Sequence, residues 1–413
     1  MNKRPSLGVI FLTIFIDLLG FGIVMPFLTL VARDDFGVDA WVATLLGASF
    51  SAMQFLFMPA WGRLSDRIGR RPVMLTSIFF SAVTMAALGF ALAYADTILW
   101  VFVARMATGI STANLGTASA YIADITTPQE RVKGMALFGI AFGLGFLIGP
   151  GIGGVLTHIT LNGRVGPWAC FVAAGLSTIN IVWATFALPE SLPPEKRTKS
   201  TRSLSPLNLA AMRETFGTRG ISRAVITNHL IILAFSGLEM TYALYASDAF
   251  ELSEQQVGFL FMFMGTMGAL VQGGFMRRAS GRYRETSLIL TGLSLLTAGF
   301  SLFVIAPDLG IVALLVASAL IAVGNGFTQP SISAYVSRLA SAERQGEVLS
   351  TNQSMSSLGR VFGPTLAGFL YTHSPITPFA SCAVINGMAL VLALGMRAVQ
   401  PPEGVPAAHA VEA

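Results

Sequence analysis

An all-α membrane protein of twelve transmembrane helices, arranged as two six-helix halves related by an internal repeat, is what three features of this chain call for. It is 54% hydrophobic and only 11% charged, where an ordinary soluble chain is about 25% charged. Its apolar residues fall into runs of the roughly 20 residues that a bilayer crossing needs. Its landmarks recur in the same order in the second half of the chain.

The twelve apolar runs are 7–31, 41–61, 73–94, 98–124, 133–157, 167–188, 222–248, 256–276, 286–306, 310–337, 346–371 and 376–397. The opening Met-Asn-Lys-Arg and the apolar run behind it resemble a secretory leader. The run is too long for one and has no small-residue cleavage site, so it is read as the first span. An even number of crossings puts both termini on one side, and that side holds 22 of the 26 Lys and Arg residues. Only Arg33 and Arg164 fall opposite, while Arg105 and Arg360 lie inside spans. By the positive-inside rule the termini are cytoplasmic. The net charge of +5 follows from this asymmetry, so nothing supports a nucleic-acid partner. Compact loops and the lack of a targeting peptide point to a bacterial inner membrane.

The longest polar interruption, Pro189 to Gly220, divides the chain into a half at 1–188, a cytoplasmic linker at 189–220 and a half at 221–397. Within the linker, Pro206 to Phe216 has apolar residues at helical spacing, which predicts a short helix on the membrane surface. The Ala/Pro-rich tail at 398–413 is expected to be disordered.

The repeat has an offset of about 213 residues, a kind of internal duplication that marks transporter folds. Gly62-x-x-x-Asp66-x-x-Gly69-Arg70 returns as Gly274-x-x-x-Arg278-x-x-Gly281-Arg282, and Ala120-Tyr121 returns as Ala334-Tyr335. Glu130-Arg131 returns as Glu343-Arg344, and Gly149-Pro150 as Gly363-Pro364.

The basic turn Gly62-Arg63-Leu64-Ser65-Asp66-Arg67-Ile68-Gly69-Arg70-Arg71 reverses the chain between two spans. Gly62 is expected to permit close helix approach, and Gly69 to supply a positive φ. Asp66 is placed to cap the N-terminus of another helix, where orphan N–H groups favour an anion. This turn resembles the signature loop of the major facilitator superfamily. The resemblance implies a gate of Gly62, Asp66, Arg67, Gly69, Arg70, Arg71 and Asp124. In that gate Asp66 meets the start of the eleventh span near Glu343 to Val348, and Arg70 pairs with Asp124.

The fifth span carries Gly139, Gly143, Gly145, Gly149, Pro150, Gly151, Gly153 and Gly154. Small residues at this spacing let helix backbones pack closely, and Pro150 removes one helical hydrogen bond. Gly149-Pro150-x-x-Gly153-Gly154 resembles the motif that marks the drug and proton antiporters within the superfamily, so an antiporter is what the resemblance implies.

Ionisable groups at membrane depth are expensive and therefore presumptively functional. Asp17, Arg105, Glu239 and Arg360 are the four. A carboxylate in such surroundings can load and unload a proton when its partner or its access to water changes. Asp17 with Arg105, and Glu239 with Arg360, are the pairings expected. Asp17, shortly before a glycine-rich run ending in Pro26, resembles the first-span Asp in the transport path of tetracycline-resistance efflux proteins. Arg105 with Gly109 is similar to the fourth-span pattern assigned to proton coupling. The third span departs from those proteins in carrying no charge. Gln54, Asn114, Tyr121, Asn228, Tyr242, Gln272, Asn325, Gln329, Asn352 and Gln353 are candidate cavity residues, and with 30 Phe and 17 Met they suggest a large, adaptable apolar site.

No nucleophile-and-base pair, metal spacing or phosphate loop is evident, so neither an enzyme nor a cofactor is expected. Cys170 and Cys382 stand alone in separate apolar runs, and His158, His229, His373 and His409 have no ligand spacing. Gly-x-x-x-x-Gly-Lys-Ser/Thr does not occur, which leaves an ion gradient as the energy source. The function expected is proton-coupled efflux of amphipathic or drug-like molecules by alternating access, by a monomer whose partners are its substrate, protons and lipid. Uptake or exchange of a metabolite such as a sugar, siderophore or organic anion is the alternative in the same fold. A non-transporting receptor or scaffold is the alternative outside it.

Overall fold

Each apolar run becomes a helix in the computed structural model, which describes residues 7–126, 128–157, 159–197, 216–217, 219–279, 283–339 and 345–398. The first half holds α1 (Leu7–Phe36), α2 (Ala40–Ile68), α3 (Arg70–Tyr94), α4 (Ile98–Ser111), α5 (Leu115–Ile125), α6 (Pro128–Leu156) and α7 (Pro167–Ala187). The second holds α8 (Arg219–Phe250), α9 (Glu254–Leu270), α10 (Met276–Ala279), α11 (Glu285–Leu309), α12 (Ile311–Leu339), α13 (Gln345–Tyr371) and α14 (Thr377–Leu394). Among the described residues, ten helical stretches are long and apolar enough to cross a membrane. Helices α6 and α13 occupy the fifth and eleventh places expected from the sequence. Prolines lie inside several spans, Pro26, Pro59, Pro150, Pro330 and Pro364 among them, as neighbouring helices in a membrane allow.

Two crossings are less regular than the sequence suggests. The fourth, read as one helix over 98–124, is α4 and α5 separated by Thr112–Asn114. Thr112 and Asn114 carry short polar side chains that compete for backbone hydrogen bonds. The carbonyls at the break are answered by neighbouring helices: Trp61 Nε1 donates to Ile110 O at 2.7 Å, Ser77 Oγ to Ser111 O at 2.6 Å, and Gln54 Nε2 to Thr112 O at 3.3 Å. In the eighth crossing, α9 passes through a π turn at Val271–Phe275 that contains Gly273 and Gly274, and continues as α10. Such turns mark a locally widened helix.

The chain forms two compact units, Met1–Pro206 with Leu252–Met262, and Leu207–Glu251 with Phe263–Ala413. In the first, α1 packs on α6 and α7, α3 on α4 and α7, and α2 on α4. In the second, α8 packs on α13 and α14, and α11 on α12 and α14. Counted by crossing, the first-to-fifth, third-to-sixth, third-to-fourth and first-to-sixth pairings of one unit are repeated in the other. The sequence repeat is thus also a repeat of packing.

The unit borders depart from the sequence division: the border falls within the linker, and the opening of α9 clusters with the first unit, where Gly258 approaches Pro150 and Gly154 of α6. Residues 189–197, read as the start of the cytoplasmic linker, fold onto the ends of α3 and α5. The surface helix expected at Pro206 to Phe216 falls outside the described residues except for its last position, as does the tail beyond 398.

Candidate functional site

The 62–71 turn is a dense polar cluster. Gly69 has φ of 110°, a conformation that side chains rarely adopt. Arg70 is buried, and its Nη1 meets Asp66 at 2.5 Å and Ser65 Oγ at 2.6 Å while its Nε meets Asp124 at 3.2 Å. The expected Arg70 and Asp124 contact is present. Arg71 Nη2 donates to Thr185 O at 2.7 Å, and Arg67 is exposed. The close helix approach expected at Gly62 is not seen: no described atom lies within 4 Å of a Cβ placed there. Glu343, part of the partner expected for Asp66, lies outside the described residues.

Glu190 completes this cluster, and sequence reasoning missed it. Its Oε1 accepts the backbone N–H groups of Arg70 at 2.8 Å, Ser191 at 3.0 Å and Leu192 at 3.0 Å. Its Oε2 accepts Arg71 N–H at 3.3 Å and faces Arg197 at 3.8 Å. Since α3 begins at Arg70, Glu190 answers two of the N–H groups that a helix start leaves open. Ser191 Oγ donates to Asp124 at 2.9 Å and Tyr121 Oη to Pro189 O at 3.0 Å. A Cβ at Gly69 would collide with Glu190. The signal available in the sequence was an acid directly after a span-ending proline, but nothing local says which helix it caps.

The glycines of α6 form a seam with α1. A Cβ on Gly22 would lie 2.5 Å from Gly145 O, one on Gly145 2.9 Å from Leu18 O, and one on Gly149 2.6 Å from the Gly22 carbonyl carbon. A Cβ on Gly153 would strike Ile23 O and Phe27. A Cβ on Gly154 would lie 3.3 Å from Gly258 Cα, and Pro150 O comes within 2.8 Å of a Cβ at Gly258. The second unit repeats the seam between α13 and α8. There a Cβ at Gly359 would lie 3.1 Å from Leu233 N, and one at Gly237 3.3 Å from Gly363 O.

Asp17 and Arg105 both belong to the first unit, but each has its own surroundings. Asp17 Oδ2 accepts Asn114 Nδ2 at 3.2 Å, and Asn180 Nδ2 donates to Thr13 O, one turn earlier on α1, at 3.0 Å. Arg105 is fully buried. Its guanidinium lies 4.1 Å from the centre of the Phe50 ring and 5.7 Å from that of Phe21, and Nη2 meets Met25 Sδ at 2.7 Å. A desolvated cation over an aromatic face is stabilised by about 2 kcal/mol. Met25 is eight residues beyond Asp17, about 12 Å along α1, so the expected Asp17 and Arg105 pair is not formed. A Cβ at Gly109 would collide with Phe50 O, so this glycine lets α4 bring Arg105 against α2.

In the second unit Glu239 and Arg360 are both half-buried on the packed helices α8 and α13. One to two turns earlier on α13, Asn228 Nδ2 donates to Asn352 Oδ1 at 3.0 Å and to Ser356 Oγ at 2.9 Å. His229 Nδ1 and Met355 O are 2.7 Å apart. This polar zip between α8 and α13 leads along the helices to the charged pair.

The remaining cavity candidates divide by burial. Tyr121 and Tyr242 are packed inside their own units, Tyr121 on Pro189 O and Tyr242 on Ser318 Oγ at 2.6 Å. Gln54 caps the fourth-span break. Gln272 belongs to the π turn, and Gln353 is exposed. Asn325 and Gln329, one turn apart on α12, each keep a buried polar atom with no hydrogen-bond partner among the described residues. Among those residues no group of His, Cys, Asp and Glu has metal-holding geometry.

Comparison with known proteins follows the same lines. The family model described as Major Facilitator Superfamily matches residues 10–310 and 275–412. The class C tetracycline resistance protein of Escherichia coli is 30% identical over 95% of this chain and 96% of its own length. Major facilitator superfamily domain-containing protein 10 of Bos taurus is 32% identical over 88% of this chain and 86% of its own. The crystal structure of the human organic anion transporter MFSD10 (TETRAN) superposes with a TM-score of 0.71 at 26% identity, covering 95% of this chain and all of that one.

Proposed function

The chain belongs to the major facilitator superfamily, and from that premise we propose that it is a proton-coupled exporter of amphipathic or drug-like molecules in a bacterial inner membrane, with both termini cytoplasmic. It is a multi-pass membrane transporter of that family. The observation that carries the coupling proposal is the placement of Glu239 and Arg360, both half-buried, on the packed helices α8 and α13 within spans, a costly arrangement for a helix bundle with no ion to move. Asp17, held by the Asn114 amide, supplies a second site of proton exchange, and Arg105 a buried counter-charge in the same unit. The α1 and α6 glycine seam supports alternating access, because closely packed backbones slide or rock with little side-chain rearrangement.

In this reading the 62–71 turn is the gate. Asp66, Arg70 and Asp124 hold the loop in one shape, Glu190 fixes the start of α3, and a change in any member releases the others. The tetracycline resistance relative favours drug-like cargo. The solved organic anion transporter favours a second reading, in which the cargo is an organic anion.

The test is proton release from the purified protein in sodium-free liposomes on addition of lipophilic cations, tetracyclines, neutral drugs and organic anions. Wild type is compared with Asp17→Asn and Glu239→Gln. Drug-evoked proton movement that either substitution abolishes is the expected result. Response to organic anions alone selects the second reading. Gradient-independent exchange without proton movement overturns both.

A further inference from the structure

One face of α7 is exposed although the helix is a membrane span. Ile179, Val182 and Phe186 are 62%, 56% and 74% exposed, and with Thr178, Trp183 and Ala187 they line a groove of about 530 Å³. Its walls are apolar apart from the Thr178 hydroxyl, which is already bonded to Ala174 O at 2.8 Å. Trp183 is half-buried and packs on a cluster that includes Ile14, Met74 and Ala184, so the groove is built on the body of the first unit. Apolar walls of this kind suit any lipid tail and select none.

A cation distinguishes the end of the groove nearest the 62–71 turn. Arg71, on the first turn of α3, reaches across to α7, where its Nη2 donates to Thr185 O at 2.7 Å. Thr185 directly precedes Phe186, so the guanidinium is held beside the last turn of the groove. The carbonyl fixes its position without neutralising it. Arg71 Nε has no hydrogen-bond partner, and among the described residues no carboxylate forms a salt bridge with this side chain. Glu190 accepts the backbone N–H of Arg71 rather than its guanidinium, and faces Arg197 instead. Arg70 is answered by Asp66 and Asp124, and Arg338 by Glu285. A guanidinium without a counter-charge at the mouth of an apolar groove complements an amphiphile with an anionic head and an acyl tail. Basic residues at a membrane surface attract anionic lipids, and guanidinium pairs strongly with phosphate oxygens.

We propose that Arg71 and the α7 groove form a binding site for one anionic phospholipid of the leaflet on the side of the 62–71 turn. The phosphate rests on the guanidinium, and an acyl chain runs along Phe186, Val182 and Ile179. The site is separate from the coupling residues and stands whatever cargo the chain carries.

The experiment is quenching of tryptophan fluorescence by lipids brominated on the acyl chain, with the full-length protein in phosphatidylcholine nanodiscs. The part of the quenching lost in Trp183→Phe reports on the groove. For that part, brominated phosphatidylglycerol should be about five-fold more effective than brominated phosphatidylcholine, the weight of one basic residue near an anionic surface. Arg71→Gln should bring the two lipids nearly level, and Arg71→Lys should keep the preference. Val182→Phe, at an exposed position, narrows the groove and should weaken quenching by phosphatidylglycerol with the melting midpoint unchanged. Arg278→Gln, exposed in the second unit, should alter nothing. Variants are compared only where they elute as the wild type does. Equal quenching of Trp183 by the two lipids, quenching by neither, or a preference unmoved by both Arg71→Gln and Val182→Phe overturns the proposal. Displacement of the brominated phosphatidylglycerol by inorganic phosphate would assign Arg71 to a soluble anion and overturn it as well.

Discussion

Replacing Glu190 by alanine removes a side chain that joins the chain after the sixth span to the start of the third. Its carboxylate accepts four backbone N–H groups at 2.8 to 3.3 Å, two of them at the head of α3. Loss of a helix cap costs about 1 kcal/mol and up to about 2, and a hydrogen bond to a charged group contributes about 1.5 to 3 kcal/mol. Glu190 is a quarter exposed, so water replaces part of what is lost. A net loss of about 2 kcal/mol, concentrated on the first turn of α3, would raise its open population up to about 30-fold. Hydrogen exchange read by mass spectrometry on peptides covering 62–76 measures this directly. Exchange at Arg70 and Arg71 should quicken by about that factor in Glu190→Ala and by less in Glu190→Gln, while peptides at the start of α11 stay unchanged. Equal protection in wild type and Glu190→Ala would refute the capping argument. A uniform loosening of the whole chain would refute its locality.

Other substitutions test the packing. Gly22→Ala should lower the thermal midpoint in detergent and abolish transport, because the added carbon lies 2.5 Å from Gly145 O, whereas Gly143→Ala, with no described atom within 4 Å, should be tolerated. Gly69→Ala should cost about 1 to 3 kcal/mol from its positive φ, beyond the collision with Glu190, and a variant that is as stable as wild type would show that the turn adopts another shape. Tyr245→Phe removes the hydrogen bond to Phe303 O and should cost about 1 kcal/mol with transport retained, read as a lower melting midpoint.

The number and order of the spans were legible because hydropathy reports on the solvent, and lipid is a uniform one. The pairing of Arg70 with Asp124 was legible because the loop pattern resembles a family that uses it. What escaped was whatever depends on a neighbour's side chain. The break at Thr112–Asn114 is held by Trp61, Ser77 and Gln54, which answer the carbonyls beside it, and no short window of sequence contains the break and its three partners. Asp17 was expected beside an arginine because opposite charges attract, yet the fold gives it the amide of Asn114 and gives Arg105 the ring of Phe50. Glu190 looked like linker because it follows a proline and precedes a polar stretch, and its role appears only once α3 is placed beside it.

The interruption in the fourth crossing separates two things that a continuous helix would move together. Arg105 rides on α4 and Asp124 on α5, so the crossing is a pair of levers with a fulcrum at Thr112–Asn114. The fulcrum is bolted to α2 by Gln54 and Trp61 and to α3 by Ser77. In the gating cycle proposed above, α5 tilts to free Asp124 from Arg70 while the buried guanidinium keeps its aromatic seat, and these three hydrogen bonds help link the two. Loosening one of them, as in Trp61→Phe, should lower the number of protons moved per substrate in the liposome assay.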